Sequence, residues 1–266
     1  MKCLVFIKQI PDPDIPPTQF RVDTRTNTVA PPQGSSPAVS LLDELAVEAA
    51  LRLKDALGGE VTAVSLCNDP VMNVIKKPLA MGADSLILLQ DPAFEGGDAF
   101  TTARVLAAAV KKIGSYDLIL CGRQAGDWDN GQVGSYVAES LGIPCITIVG
   151  KLEAVSGKIR AERTVGDTVE TVEAPMPALV TAGNEVGRAR YPKLRDIMAA
   201  GRKQPTIWSA KDLGLDPSTV GAKGALTKVR RLYVEEKAGQ CEVLKGETPA
   251  EAGENLALKL RELKII

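Results

Sequence analysis

The chain has 266 residues, 45% of them hydrophobic and 24% charged, with 32 basic residues against 33 acidic ones. That length suits one large domain or a domain with an appendage, and the balanced charge supplies no field to recruit nucleic acid or an anionic membrane. Aromatics are only 4% and histidine is absent, which removes base-stacking platforms, Ser-His-Asp and Cys-His catalysis, and histidine metal sites.

The five cysteines (Cys3, Cys67, Cys121, Cys145, Cys241) are odd in number and scattered, with no C-x-x-C pair. The first four lie in or beside apolar runs, where a reduced thiol behaves as a small hydrophobe. This points to a reducing compartment and to no metal site. With no signal peptide at the start and no apolar run of the roughly 18 residues a span needs, a cytoplasmic protein without direct membrane insertion is expected.

Residues 2–7 form a continuous apolar run, as in a parallel strand buried on both faces. Prolines end it, and the stretch through Pro37 is rich in Pro, Thr, Gly and Ser, a long excursion with a short strand at 20–22. Leu42, Leu45, Ala46, Ala49 and Leu53 then recur at helical spacing, with Ser40 as N-cap and Gly58-Gly59 as the stop. Strands are expected at 61–66, 85–89, 118–121 and 144–149. Helices are expected between them at 71–81, from 96–102 through Val110, and at 132–141. Asn68 and Asp69 stand where they would cap the helix over 71–81. These alternations give an α/β fold, a doubly wound and mainly parallel Rossmann-like sheet of the kind that binds adenine nucleotides.

After Gly150 the pattern changes to an antiparallel β meander, followed by a buried strand at 177–182. Residues 183–198 are mostly polar and lead into a short helix ending at Gly201. The remainder forms an extended C-terminal arm, with one strand within 223–236 and a terminal helix over 249–263. The expected division is a nucleotide-binding domain at 1–200 and an arm at 201–266, lying on its own sheet or on a partner.

In such sheets ligands bind beyond the carboxyl ends of the strands, where the strand order reverses. Those ends are residues 7–12, 65–69 and 121–135, with the helix start at 96–102 on the same rim. Cys121-Gly-Arg-Gln-Ala-Gly-Asp-Trp-Asp-Asn-Gly-Gln-Val-Gly-Ser135 joins a strand to a helix, so its N–H groups and the helix N-terminus suit a phosphate. It matches neither G-x-G-x-x-G nor the P-loop. Taken alone, the simpler reading is a turn whose glycines permit tight packing.

Several stretches, in order over nearly the whole chain, carry a resemblance. They are Val5-Phe-Ile-Lys-Gln-Ile-Pro-Asp12; Asp43-Glu-Leu-Ala-Val-Glu-Ala-Ala-Leu-Arg-Leu-Lys54; Leu79-Ala-Met-Gly-Ala-Asp84; and Gly122-Arg-Gln-Ala-Gly-Asp127 with Gln132-Val-Gly134. Glu170-Thr171, Pro177-Ala-Leu-Val-Thr-Ala182 and Arg190-Tyr191 through Leu194-Arg-Asp-Ile-Met198 extend it. Together they resemble the β (small) subunit of electron transfer flavoproteins.

The resemblance implies an electron carrier subunit with no catalytic residue and no metal, paired with an α subunit that holds most of the FAD. It implies electrons received from acyl-CoA dehydrogenases in fatty acid oxidation and passed to a membrane electron transfer flavoprotein-quinone oxidoreductase or another acceptor. It places a nucleotide on Ile7, Lys8, Asn68, Gly122, Gln124, Ala125, Gly126, Asp127, Gln132, Val133, Gly134 and Ser135, with Asp127 and Asp129 turned from phosphate or giving only N–H groups. The nucleotide is AMP, or a second FAD in electron-bifurcating members. The helix start at 96–102 is similar to the motif of those members, through Thr101 and Thr102, whereas Trp128-Asp-Asn130 departs from their loop and favours AMP. Leu42 and Pro13 stand where many members carry aromatics.

Taken alone, Leu194 reads as a core leucine. The resemblance makes it the exposed anchor of a recognition loop with Arg190, Tyr191, Ile197 and Met198. A more distant reading, a stand-alone adenine-nucleotide enzyme or sensor, needs phosphate chemistry for which the chain has no P-loop lysine.

Overall fold

The apolar runs become strands of one nine-stranded sheet in a computed structural model that describes residues 1–16, 18–234 and 241–266. The chain forms two compact units, Met1–Leu232 and Tyr233–Ile266. The first begins with β1 (Lys2–Phe6), β2 (Gln9–Ile10), β3 (Arg21–Asp23), β4 (Thr28–Ala30), β5 (Ala38–Val39) and α1 (Leu41–Leu57). It continues through β6 (Glu60–Leu66), α2 (Met72–Ile75), α3 (Lys77–Met81), β7 (Ser85–Leu89), α4 (Ala99–Ile113), β8 (Leu118–Gly122) and α5 (Val133–Leu141). Then come β9 (Cys145–Val155), β10 (Lys158–Val165), β11 (Thr168–Pro175), β12 (Ala178–Ala182), α6 (Leu194–Arg202), β13 (Thr206–Trp208) and α7 (Gly221–Gly224). In the second unit, α8 (Pro249–Glu262) starts at a Thr248 cap and leaves Leu256 and Leu258 exposed.

The sheet order is β11-β10-β9-β12-β8-β1-β6-β7-β13, so the α/β, doubly wound and mainly parallel expectation holds. Alternate residues of each central strand serve opposite faces. Cys3, Val5 and Ile7 pack with Leu45, Ala46, Leu53 and Leu79 from α1 and α3. Leu4 and Phe6 pack with Leu106, Ala109, Val110 and Val137 from α4 and α5. Fully burying one such aliphatic side chain contributes about 1.5–3 kcal/mol.

The meander is present, and its return strand β12 inserts between β8 and β9. The first part of β9 runs parallel to β12 and the rest antiparallel to β10. The change of partner falls at a bulge where Ile148 takes a positive φ of 59° and donates its N–H to Thr181 Oγ1 at 3.0 Å.

Four local expectations are corrected. The helix expected over 71–81 is two short helices, because Pro78 lacks an N–H and its ring would collide with the carbonyl four residues back. Asn68 does not cap it; its Oδ1 accepts from Asp91 N at 3.0 Å. Ser40 precedes α1, yet its hydroxyl makes no cap bond, and the N–H groups of Asp43 and Glu44 go to its carbonyl at 3.0 and 3.1 Å. No strand forms in the described part of 223–236, residues 223–234. There the chain gives its N–H groups to side chains: Leu226 and Thr227 to Asp98 Oδ2 at 2.8 and 2.9 Å, and Leu232 to Asn27 Oδ1 at 2.9 Å.

Asp98 therefore does two things. Its Oδ1 accepts from Thr101 N at 3.0 Å while Thr101 Oγ1 accepts from Asp98 N at 3.0 Å, a reciprocal cap on α4. Its other oxygen fastens residues 226–227. Asp98→Ala is expected to lower stability by about 1–2 kcal/mol and to speed tryptic cleavage at Lys228, read by denaturation and by mass spectrometry of the digest. An unchanged cleavage rate would show that the segment is held by other contacts.

Candidate functional site

The strand order reverses between β1 and β8, with β6 and β7 beyond one and β12 beyond the other. The loops leaving these two strands diverge there, at the position where sheets of this kind bind ligands. A single buried carboxylate ties the two ends together. Asp43, in the first turn of α1, accepts from Lys8 N through Oδ2 and from Gly122 N through Oδ1, both at 2.9 Å. The approach is close enough that a Cβ on Gly122 would stand 2.7 Å from Asp43 Oδ1 and 2.8 Å from the Leu42 carbonyl carbon. Only glycine fits.

The carboxylates of the 122–135 loop are already paired within the protein. Lys8 Nζ pairs with Asp127 at 2.6 Å, and Gln124 Nε2 donates to Asp129 Oδ1 at 2.9 Å. Gly134 sets the first turn of α5 flat against the sheet, since a Cβ there would lie 2.9 Å from both Cys121 Sγ and Thr181 Cγ2. The start of α5 has no side-chain cap, so the N–H groups of its first turn are available to an anion. By contrast α4 is closed by the Asp98 carboxylate.

Among the described residues, three buried side-chain polar atoms have no partner: Ser40 Oγ, Ser65 Oγ and Arg123 Nε. Ser40 N donates to Lys8 O at 2.9 Å, and Ile7 N donates to Val64 O at 3.0 Å, which sets Ser65 beside Ile7. Two unsatisfied hydroxyls thus flank residues 7–8. Buried polar groups normally have partners, and atoms left without one in the protein are met by bound water, an ion or a ligand. Hydroxyls, an arginine and open helix N–H groups are the donor set for a nucleotide, and these residues fit one.

The sequence-derived positions fall into two groups. Ile7, Lys8, Gly122, Gln124, Ala125, Gly126, Asp127, Gln132, Val133, Gly134 and Ser135 belong to the chain leaving the carboxyl ends of β1 and β8, though Ile7 is a core side chain and offers backbone only. Burial raises the pKa of the half-buried Cys145 thiol, with Ser135 opposing the rise. Asn68, Thr101 and Thr102 lie instead around the end of β7 and the start of α4. There the Thr101 hydroxyl is engaged in the Asp98 cap and Asn68 is bonded to Asp91. Asp43, Ser40, Ser65 and Arg123 are not among the sequence-derived site positions, although Ser65 and Arg123 fall in the rim segments 65–69 and 121–135. For Asp43 a signal exists: it lies four and seven residues before Val47 and Ala50, both fully buried, so helical spacing puts it on the inner face.

On the opposite face of the sheet from α4 and α5, α6 carries Leu194, Ile197 and Met198 at spacings of three and four, all exposed, with Leu194 at 74% and the preceding Tyr191 at 92%. Arg190 turns inward instead and bonds Glu48 and Asp55 of α1.

Burial pushes the Asp43 carboxyl up to about 7, against the N–H groups of Gly122 and Lys8 and the Lys8 charge, with Asp127 adding to the rise. A folded state that binds this proton more tightly than the unfolded chain loses stability as pH rises from its ordinary value near 3.8 to about 7. The limiting slope for one group is about 1.4 kcal/mol per pH unit. The unfolding free energy of the wild type minus that of Asp43→Asn should therefore fall across this window and level off above it, measured by urea denaturation. A flat difference curve would refute the raised carboxyl.

An electron transfer flavoprotein domain matches residues 33–213 of this chain. Over 267 residues, covering 100% of both chains, it is 37% identical to the electron transfer flavoprotein subunit beta of Thermoanaerobacterium thermosaccharolyticum. It is 36% identical, again over 267 residues and 100% of both, to the caffeyl-CoA reductase-Etf complex subunit CarD of Acetobacterium woodii. Protein FixA of Azorhizobium caulinodans is 36% identical over 241 residues, 88% of this chain and 84% of FixA. A matched domain over most of the chain and likeness along its whole length show that it belongs to the electron transfer flavoprotein family, as a β subunit that carries electrons in partnership with an α subunit.

Proposed function

We propose that this β subunit holds AMP at the carboxyl ends of β1 and β8 and docks an acyl-CoA dehydrogenase through α6. The observation that carries the AMP site is the uncapped start of α5 together with the unpartnered hydroxyls of Ser40 and Ser65 beside residues 7–8. First-turn N–H groups of α5 would donate to the phosphate, and the Ser40 and Ser65 hydroxyls would take partners from the nucleotide. Asp127 and Asp129 pose no obstacle, because their carboxylates are directed to Lys8 and Gln124. FAD, held mainly by the α subunit, supplies the redox chemistry when bound. This chain's residues bind, orient and exclude water.

Electrons then pass from the dehydrogenase, in fatty acid oxidation in the cytoplasm, to electron transfer flavoprotein-quinone oxidoreductase or another acceptor. That acceptor is a membrane protein; in this chain no helix among the described residues is long and apolar enough to cross a membrane. Residues 201–266 serve as the arm that packs on the chain's own sheet or on the α subunit.

The second reading, an electron-bifurcating protein with a second FAD here, is favoured by the 36% identity to CarD. Against it, a carboxylate already sits at the start of α4 and the Thr101 hydroxyl is engaged. Denaturing the purified heterodimer and quantifying released nucleotides decides between them: one FAD and one AMP are expected, and two FAD would overturn the AMP assignment. Separately, Leu194→Ala should slow reduction by the dehydrogenase with flavin content intact, and unchanged kinetics would sink the docking role.

A further inference from the structure

The docking helix α6 has nine residues, and isolated helices shorter than about 12 residues are marginal in water. The segment before it, residues 187–193, has no regular structure. Ala200 seats α6 on the core, and the remaining restraints on this surface are polar and lie behind it. Glu48 of α1, with a side chain only 7% exposed, accepts from Arg190 N at 3.0 Å, Arg190 Nε at 2.8 Å and Arg52 Nε at 2.9 Å. Arg52 extends the contact, donating from Nη1 to Val186 O at 2.9 Å and from Nη2 to Arg188 O at 3.2 Å. Arg190 Nη2 adds a bond to Asp55 Oδ2 at 2.7 Å.

At the far end of α6, buried Lys76 donates from Nζ to the Gly201 carbonyl at 3.0 Å, where the helix leaves carbonyls unpaired and its dipole is negative. Burial alone would raise the Glu48 carboxyl, but the Arg190 and Arg52 bonds outweigh it and keep it below the ordinary glutamate value.

Arg188 O and Arg190 N are backbone groups of this irregular segment and Val186 O closes the short 3-10 turn just before it, so these bonds fix the path of the chain rather than merely join side chains. None of the clamp residues belongs to the exposed stripe of Tyr191, Leu194, Ile197 and Met198. We propose that Glu48 and Arg52, together with Arg190 and with Lys76 at the exit, are positioning residues that hold the docking surface in its binding pose before the electron donor arrives. This rests on the docking role of α6 proposed above. A loop left free must be ordered at each encounter, and that cost falls on association. Electron transfer inside the docked complex is untouched, since the docked geometry is the same.

The test uses complete heterodimers with their flavin, as wild type, Glu48→Gln, Arg52→Met and Arg52→Lys, with butyryl-CoA dehydrogenase under butyryl-CoA as donor. The KM for the heterodimer is expected to rise about tenfold in Glu48→Gln and Arg52→Met, with kcat within about twofold of wild type. Arg52→Lys, which keeps the charge and loses the fork onto two carbonyls, should fall between. FAD content and reduction by dithionite should match wild type. Arg52 is half-exposed, so its variants report even if Glu48→Gln fails to fold. A fall in kcat at unchanged KM, or unchanged values of both, overturns the clamp. If Leu194→Ala raises KM and the clamp variants do not, the clamp alone fails. If Leu194→Ala has no effect, or if the wild type is not reduced by short-, medium- or long-chain acyl-CoA dehydrogenases, the docking role itself fails.

Discussion

The Asp43 carboxylate is the constraint on which the site depends. A doubly wound sheet parts at its reversal point because consecutive loops leave in opposite directions, and nothing in a parallel hydrogen-bond ladder holds the parted ends. Here one oxygen takes the N–H of Lys8 and the other that of Gly122. The distance between the two loops is thereby set by the width of a carboxyl group. Burying it is unfavourable, and two backbone donors with the Lys8 charge offset part of that cost. The Lys8–Asp127 pair then ties the next turn of the loop to the same strand end.

Much of the fold was legible because central strands buried on both faces need unbroken apolar runs, and such runs stand out in a chain with so many turn residues. The meander was legible from alternation at 166–173, where only one face is covered. Insertion of β12 between β8 and β9 was not, because strand order depends on long-range packing that leaves no local trace. The break before Pro78 was missed although proline marked it, because the apolar spacing over 71–81 continued through it. At 223–234 the expected strand failed for a different reason: its partners are the carboxylate of Asp98 and the amide of Asn27, far away in sequence.

At the candidate site, the place of the glycine-rich loop between a strand and a helix could be read from composition. Which side chains are already committed to the protein could not. Thr101 looks like a free hydroxyl at a helix start, yet it closes its own cap; Arg190 looks like an exposed partner contact, yet it faces a buried glutamate. Polar residues in a sequence advertise capacity for hydrogen bonds, and only packing reveals which bonds are made. Ser40 and Ser65 show the converse, ordinary serines in the chain that the fold leaves buried without partners.

Asp98 joins two events that would otherwise be independent. One oxygen holds the first turn of α4 and the other holds residues 226–227, where the chain begins its run toward the second unit. Linkage is reciprocal, so whatever effect the anchored segment has on the cap, the cap has on the anchorage. One carboxyl group thus divides its two oxygens between the rim of the sheet and a distant stretch of the same unit, so that no substitution of Asp98 reaches one without the other.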